Sequence, residues 1–200
     1  FDHNVDYPCF LLTRWDQSAG TERELRVFGP PPTVELTEKL IGPEGAFSPD
    51  YLARMHWSAS QRVFMNRGGT LPRLAPRVLA EDISAGFRHE GTGWSVQSTA
   101  ARHAQPHLES IAYRMRTRDG DIVFTGDTEP CDSVQELAQG ADVMLCMAWD
   151  TDEQMQHTGE MVGSCGVGGA ARMATEAGVQ KLVLVHVGPR VSRPWNRTAA

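Results

Sequence analysis

The chain has 200 residues, of which 40% are hydrophobic and 22% charged, and its formal net charge is −6. This apolar content is that of a globular domain and excludes a disordered chain, and no apolar run is long enough to predict a membrane-spanning helix. The acidic balance argues against a general nucleic-acid-binding protein, which usually carries a basic stripe.

The start of the chain concerns its completeness, and its cysteines concern its cellular compartment. The chain begins at Phe1 with no methionine, and chemically active residues follow at once, so we expect an incomplete chain. The cysteines contain no Cys-x-x-Cys pair, and we interpret them as reduced thiols of a cytoplasmic protein. They are Cys9, Cys131, Cys146 and Cys165.

The first half of the chain contains few regular patterns. Residues 10–12 form a short buried run, residues 25–28 predict a strand, and Thr33 can cap a helix through Leu40. Residues 43–93 lack a lasting period, which indicates a lid or an insertion. Arginines in this stretch could meet an anionic substrate, but we interpret them as solvated loop residues. They are Arg62, Arg67, Arg73, Arg77 and Arg88.

Clearer patterns begin at Trp94. Strands are predicted at residues 94–98, 111–118, 122–124, 143–147 and 181–187. Asp119-Gly120 predicts a tight hairpin, a short helix begins at Asp132 or Ser133, and alanines at helical spacing predict another helix at 170–177. Hairpin-linked strands followed by β-helix-β alternation predict a single α/β domain, residues 1–200, with a mixed sheet.

Metal-capable side chains follow several of these strands or open the chain. They are Asp2, His3, His103, Asp127 and His186. Histidine nitrogen and carboxylate oxygen suit zinc and similar divalent ions, and ligands on strand ends are held more rigidly than ligands on long loops. Each residue alone has a structural alternative, as a core histidine, a turn-capping aspartate or a surface residue. Their joint occurrence predicts a catalytic metal site.

Four motifs resemble those of the metallo-β-lactamase fold family, in the family's order. They are the opening stretch 1–8, His103-Ala104-Gln105-Pro106 with residues 110–114, Phe124-Thr125-Gly126-Asp127-Thr128, and residues 178–186. The flanks look most like the ribonuclease Z and arylsulfatase branch. The resemblance implies an αββα sandwich with mixed sheets, seen here as a fragment that lacks the N-terminal His-x-His pair and can also lack C-terminal elements.

The resemblance also implies two divalent metal ions, zinc first and manganese or iron as alternatives. Asp2 and His3 would bind one ion together with His186, His103 would bind the other, and Asp127 would bridge both. Asp2 would in addition be the catalytic residue that orients a metal-bound hydroxide. His107 is a second possible third-motif ligand, but the Gln-Pro that follows His103 selects His103.

One stretch departs from the ribonuclease Z pattern. Cys146 stands where that branch has a histidine and Met147 where it has a glutamate, which argues against tRNA processing. Asp150 or His157 could replace the missing proton donor, although either can equally be a solvated loop residue. Trp149 can face the substrate or belong to the core.

These features together predict a metal-dependent hydrolase of a small ester-like bond in a carboxylic ester or lactone, a sulfate ester or a phosphodiester. One alternative is a ribonuclease Z-like or cyclic-nucleotide phosphodiesterase, and another is a non-catalytic scaffold or binding protein. We expect a small-molecule substrate, no membrane partner, no nucleic-acid partner and a homodimer. The glycine-rich stretch 163–169 lacks the lysine of a phosphate-binding loop, and Cys165 lacks a histidine partner for nucleophilic catalysis.

Overall fold

The structure is a computed structural model that describes residues 2–21 and 23–192, with Asp2 described by its backbone alone. Two compact units lie within Phe1–Ile83 and Ser84–Ala200. The helices are α1 (Tyr7–Gln17), α2 (Thr33–Ile41), α3 (Ser48–His56), α4 (Ser58–Asn66), α5 (Asp132–Leu137), α6 (Asp152–Thr158) and α7 (Val167–Glu176). The strands are β1 (Leu25–Gly29), β2 (Val78–Asp82), β3 (Arg88–Gly91), β4 (Trp94–Ala100), β5 (Ile111–Thr117), β6 (Gly120–Phe124), β7 (Val143–Met147) and β8 (Lys181–Val185).

The first unit combines the parallel pair β1–β2 with helices α1 to α4. The apolar run at residues 10–12 belongs to helix α1, of which Leu11 and Trp15 are buried one helical turn apart. Trp15 joins this helix to the rest of the unit, because its ring meets Tyr51 edge-on at 6.1 Å and its indole N–H donates to the carbonyl of Leu74. The predicted helix at Thr33 is confirmed, although the Thr33 hydroxyl donates to the Pro30 carbonyl and makes no cap.

Residues 43–93 contain regular elements that the sequence did not reveal. Helices α3 and α4 each bury a single large side chain, Tyr51 and Phe64 respectively. So narrow an apolar stripe produces no sustained helical period in the sequence. The role of this stretch as a lid or insertion stays a prediction.

The second unit contains a six-stranded sheet in the order β3-β4-β5-β6-β7-β8. Neighbouring strands are antiparallel from β3 to β6 and parallel from β6 to β8, so the predicted mixed sheet is confirmed. The predicted hairpin is present, with Thr117 paired to Gly120, whose φ is +140°. It follows from these pairings that β4, β6, β7 and β8 run in one direction and end at one edge of the sheet.

Helices α5 and α7 pack against this sheet and build the core of the second unit. Val123 and Met144 on the sheet and Ala170 on α7 are each fully buried. Arg114 is also buried, because it pairs with Asp121 and donates to two carbonyls at the end of α5. No helix in the described ranges has the length and apolar character needed to cross a membrane.

Candidate metal centre

Three metal-capable side chains converge where strands β4, β6 and β8 end. His103 and Asp127 follow β4 and β6 after short turns, and His186 follows β8 directly. Nε2 of His103 is 3.8 Å from Oδ2 of Asp127, and Nε2 of His186 is 3.6 Å from the same oxygen. The side chains of the two histidines are 35% and 32% exposed, so solvent and small molecules reach this cluster.

One ring nitrogen of His103 is already engaged. Its Nδ1 lies 2.6 Å from the carbonyl oxygen of Gly163. Since a carbonyl can only accept a hydrogen bond, Nδ1 carries the proton, and the neutral ring keeps its lone pair on Nε2. That nitrogen faces Asp127. The contact with Gly163 therefore prepares His103 to be a metal ligand, as hydrogen bonds behind metal-binding histidines usually do.

The peptide of Gly163 is held in turn by Glu129. One carboxylate oxygen of Glu129 accepts the Gly163 N–H at 3.0 Å, and the other pairs with Arg102 at 3.0 Å. These contacts tie the segments after β4 and β6 to the loop that carries Gly163, so they maintain the separation of His103 and Asp127. Glu129 and Gly163 were not predicted from the sequence, because their contacts join residues that are far apart in the chain. Glu129 and Gly163 are separated by 34 positions, and His103 and Gly163 by 60.

His186 occupies a strained backbone position. Its φ of +51° is the one positive value among the non-glycine residues that the structure describes, and such a conformation costs of order 1–3 kcal/mol for a residue with a side chain. The turn is held from both sides, since Ala148 N–H donates to Val185 and Gly188 N–H donates to Trp149. The ring of Trp149 lies 5.6 Å from that of His186.

The predicted ligands at the chain start belong to the first unit. Asp2 and His3 lie in a short 3₁₀ helix, Asp2–Asn4. His3 is exposed, whereas the side chain of Asp2 is outside the described residues. Their participation in a metal site stays a prediction. His107, the alternative to His103, is exposed and lies in the loop after β4.

The three predicted substrate residues have different surroundings. Trp149 borders His186 and donates its indole N–H to Glu160 at 3.3 Å. Asp150 is 4% exposed, and its carboxylate is engaged by Arg190 and by the backbone N–H of Thr151. His157 is exposed in the last turn of α6. Trp149 therefore lies beside a candidate ligand.

Two buried cysteines lie beneath the site. Cys146 and Cys165 are fully buried, and Met147 is 2% exposed. Cys165 donates a hydrogen bond to Cys146, and this bond, followed by burial, raises the pKa of Cys165 well above its usual range. Cys165 is therefore a protonated core thiol, as the absence of a histidine partner in the sequence indicated.

The glycine-rich stretch before α7 already holds a carboxylate. Asp152 accepts a hydrogen bond from the backbone N–H of Gly169 at 3.1 Å, and a side chain at Gly166 or Gly168 would collide with the same carboxylate. The positive end of the helix dipole is thus neutralised from within the chain. This agrees with the sequence prediction that the stretch is not a phosphate cradle.

The donor set suits a divalent metal ion. A tetrahedral zinc ion with bonds near 2.1 Å holds its ligand atoms roughly 3.4 Å apart. The observed separations of 3.8 and 3.6 Å are close to that spacing. Imidazole nitrogen with carboxylate oxygen is a donor combination that zinc takes readily. Oδ2 of Asp127 is the oxygen that lies near both imidazoles.

Comparisons with known proteins agree with the geometry. The sequence model of the beta-lactamase superfamily domain matches residues 47–187. Ribonuclease Z of Mycobacterium bovis (strain BCG / Pasteur 1173P2) is 28% identical over 209 residues, which cover the whole chain and 69% of that protein. Among solved structures, the metallo-beta-lactamase fold protein YhfI from Bacillus subtilis aligns with a TM-score of 0.61 and 16% identity, over 94% of this chain and 60% of YhfI. Human tRNase Z, short form, aligns with a TM-score of 0.56 and 16% identity, over 93% of this chain and 68% of its own length. The predicted fold class is confirmed.

Proposed function

The chain belongs to the beta-lactamase superfamily, and on that premise we propose that it is a metal-dependent hydrolase that cleaves phosphodiester bonds. The observation that supports this most directly is the convergence of His103, Asp127 and His186 on one edge of the sheet, where Nε2 of each histidine lies less than 4 Å from Oδ2 of Asp127. The relatives named ribonuclease Z favour the phosphodiester over the carboxylic ester, lactone and sulfate ester that the sequence left open.

The proposed metal centre is argued from side chains of the second unit. His103 and His186 would hold one ion each through Nε2, and Asp127 would bridge the two ions. Asp2 and His3 would complete the set, as the sequence motif predicts. When bound, divalent ions of this kind polarise the scissile oxygen and lower the pKa of a coordinated water. Zinc fits the donor types best, with manganese and iron as alternatives.

The remaining residues have distinct tasks in this proposal. The Asp2 carboxylate would accept the proton that the attacking water loses, as the resemblance of residues 1–8 to the family motif implies. The Gly163 carbonyl keeps the His103 proton on Nδ1. Trp149, beside His186, offers an aromatic wall to the leaving group.

A small phosphodiester fits this chain better than a tRNA precursor. Cys146 and Met147, which replace the histidine and glutamate of the ribonuclease Z branch, are buried and cannot protonate a leaving oxygen. The net charge of −6 also opposes binding of a long polyanion. Ribonuclease Z activity is a second candidate, and the names of the relatives are what favour it.

A hydrolysis panel separates these candidates. The chain, with zinc or manganese added, is tested on bis(p-nitrophenyl) phosphate, cyclic nucleotides, a tRNA precursor, an aryl ester, a lactone and an aryl sulfate. Metal-dependent cleavage of the diesters is the expected result. Cleavage confined to the carboxylic ester, lactone or sulfate would overturn the phosphodiester proposal, and cleavage confined to the tRNA precursor would replace it by the second candidate.

Replacing Asp127 tests the metal centre directly. We expect Asp127→Ala to lower the bound metal per chain and to abolish hydrolysis, because the proposed shared ligand is removed. Elemental analysis after dialysis measures the first effect. Asp119→Ala is the matched control, since Asp119 is an exposed aspartate of the β5–β6 hairpin with an 82% exposed side chain. Equal metal content in Asp127→Ala and the control would contradict the assignment.

A further inference from the structure

The first unit contains a cavity of about 600 Å³ that shares no residue with the candidate metal centre. It is lined by side chains of α1, α3 and α4 and by Arg73 from the segment after α4. Three of these side chains are arginines, which the sequence analysis had interpreted as solvated or had not singled out. The structure shows that one of them, Arg73, is buried.

Arg73 is a buried cation whose hydrogen-bonding capacity is largely unused. Its side chain is 4% exposed, and its guanidinium lies 3.9 Å from the ring centroid of Trp15 and 4.9 Å from that of Phe64. Among the residues that the structure describes, one of its five N–H donors is used, from Nη2 to Asp16 at 2.9 Å. Nε is buried with no hydrogen-bond partner in the described part of the chain. Aromatic rings attract the charge but do not replace oxygen acceptors.

A buried guanidinium in this state favours an acceptor in the cavity. Buried donors are nearly always satisfied in folded proteins, and a guanidinium edge matches the paired oxygens of a phosphate or carboxylate. Because Arg73 lines the cavity, an anion there would offer acceptors to the part of the guanidinium that faces it, whereas Nε itself is shielded from solvent.

The charges around the cavity also favour an anion. Arg54 and Arg67 pair with Asp16 at 3.5 and 3.0 Å, and Arg54 pairs in addition with Asp50 at 3.0 Å. Three arginines thus face two aspartates, which leaves one positive charge at the cavity in a chain whose net charge is −6. The side chains of Arg54 and Arg67 are about half exposed, so their other donors can turn toward a ligand.

An exposed aromatic ring completes the lining. Trp57 connects α3 to α4, is 67% exposed and borders the cavity. A large exposed aromatic beside arginines is a common arrangement for binding a planar anionic molecule. We propose that this cavity binds a small organic anion, with its phosphate or carboxylate on the arginine side and an aromatic body against Trp57.

Anions can also bind metal ions, so the measurement must report on the cavity itself. Two-dimensional ¹H–¹⁵N NMR of the full chain with zinc does this, because it follows signals of residues that line the cavity. The probes are phenylphosphonate, benzoate and methylphosphonate, none of which has a bond that the proposed activity cleaves. We expect phenylphosphonate or benzoate to shift the indole signal of Trp57 and the Nε–H signal of Arg73 saturably. Methylphosphonate, which lacks the ring, should bind about fivefold more weakly than phenylphosphonate.

Three variants test the parts of the site. Arg67→Ala should weaken phenylphosphonate binding about tenfold, and Trp57→Ala should weaken phenylphosphonate but not methylphosphonate. Asp50→Asn should strengthen binding about threefold, because it removes a competing negative charge. Arg118→Ala is the control, since the Arg118 side chain is 88% exposed and lies in the other unit.

Two outcomes would overturn the proposal. One is the absence of any shift of the Trp57 and Arg73 signals up to 10 mM of each probe, roughly the limit of useful affinity, which would mean that the cavity holds water alone. The other is equal binding by the wild type, Arg67→Ala and Asp50→Asn. Because no probe is hydrolysed, failure here leaves the proposed phosphodiesterase activity untouched.

Discussion

Individual ligands of the candidate metal centre depend on contacts that lie behind them. His103 points Nε2 at Asp127 because its other ring nitrogen donates to Gly163, and Gly163 is held by Glu129. Gly163 also has a φ of +72°, and a Cβ on it would lie 2.2 Å from the carbonyl oxygen of His103. No side chain fits there without moving His103.

Gly163→Ala should therefore impair metal binding while the fold persists. We expect zinc affinity to fall about 10- to 100-fold, the range seen when contacts behind metal ligands are lost. A competition titration with a zinc chelator measures it. Gly140→Ala is the control, because Gly140 has a similar φ of +64° but open space where the Cβ would lie. Equal zinc affinity in the two variants would show that His103 does not depend on Gly163.

Some residues of the candidate site could be predicted from the sequence, and others could not. His103, Asp127 and His186 were proposed from the sequence, since each follows or ends a predicted strand and lies in a motif that resembles the metallo-β-lactamase fold family. Gly163 and Glu129 were not, because nothing near them in sequence marks a contact with a loop that lies 60 or 34 residues away. A glycine in a glycine-rich stretch is compatible with many roles.

Between elements of the first unit, a single carboxylate joins helix α1 to α4 and to the segment after it. Asp16 at the end of α1 pairs with Arg67 and Arg73 at 3.0 and 2.9 Å. Burial alone would raise the pKa of Asp16, but the hydrogen bonds and charges of the arginines outweigh it and hold the pKa below its usual range.

This pKa shift predicts a pH-dependent contribution to stability. Because the pKa is lower in the folded than in the unfolded state, the contribution is fully present above the unfolded value near 3.9 and is lost as the pH falls through the folded value. Asp16→Asn should therefore be less stable than the wild type at pH 6, and the difference should shrink below about pH 4. Urea unfolding at pH 6, 4 and 3 measures it. A difference that grows toward low pH would contradict the assignment.

Elements were predicted where their pattern is local and strong. The Asp119-Gly120 turn and the apolar strands of the second unit needed no tertiary information. Helices α3 and α4 were missed because each buries one large side chain, and α6 was missed because it spans only seven residues. These helices are stabilised by packing against neighbouring elements more than by their intrinsic helix propensity.

At the scale of the whole molecule, we expect the net negative charge to slow the approach of an anionic substrate. A chain with a charge of −6 repels an anionic diester at long range, and added salt screens that repulsion. We expect kcat/KM for bis(p-nitrophenyl) phosphate to rise about twofold between 20 and 200 mM salt. Steady-state kinetics across this range of salt concentrations measure it. A steep fall with salt is what a nucleic-acid enzyme with a basic surface would show, and it would favour the ribonuclease candidate.

The amino-acid order alone predicted the α/β class and the mixed sheet, which the fold confirms, and it proposed three candidate ligands, since apolar alternation, turn chemistry and ligand type are all local properties. Folding added the contacts between segments that are far apart in sequence. Parallel directions of β4, β6 and β8 bring three strand ends to one edge, and the Gly163 carbonyl selects the His103 tautomer there. Arg73, which was predicted to be solvated, is likewise buried beside two aromatic rings in the wall of a cavity. Such properties arise from neighbours in space, and one-dimensional patterns do not encode which neighbours those are.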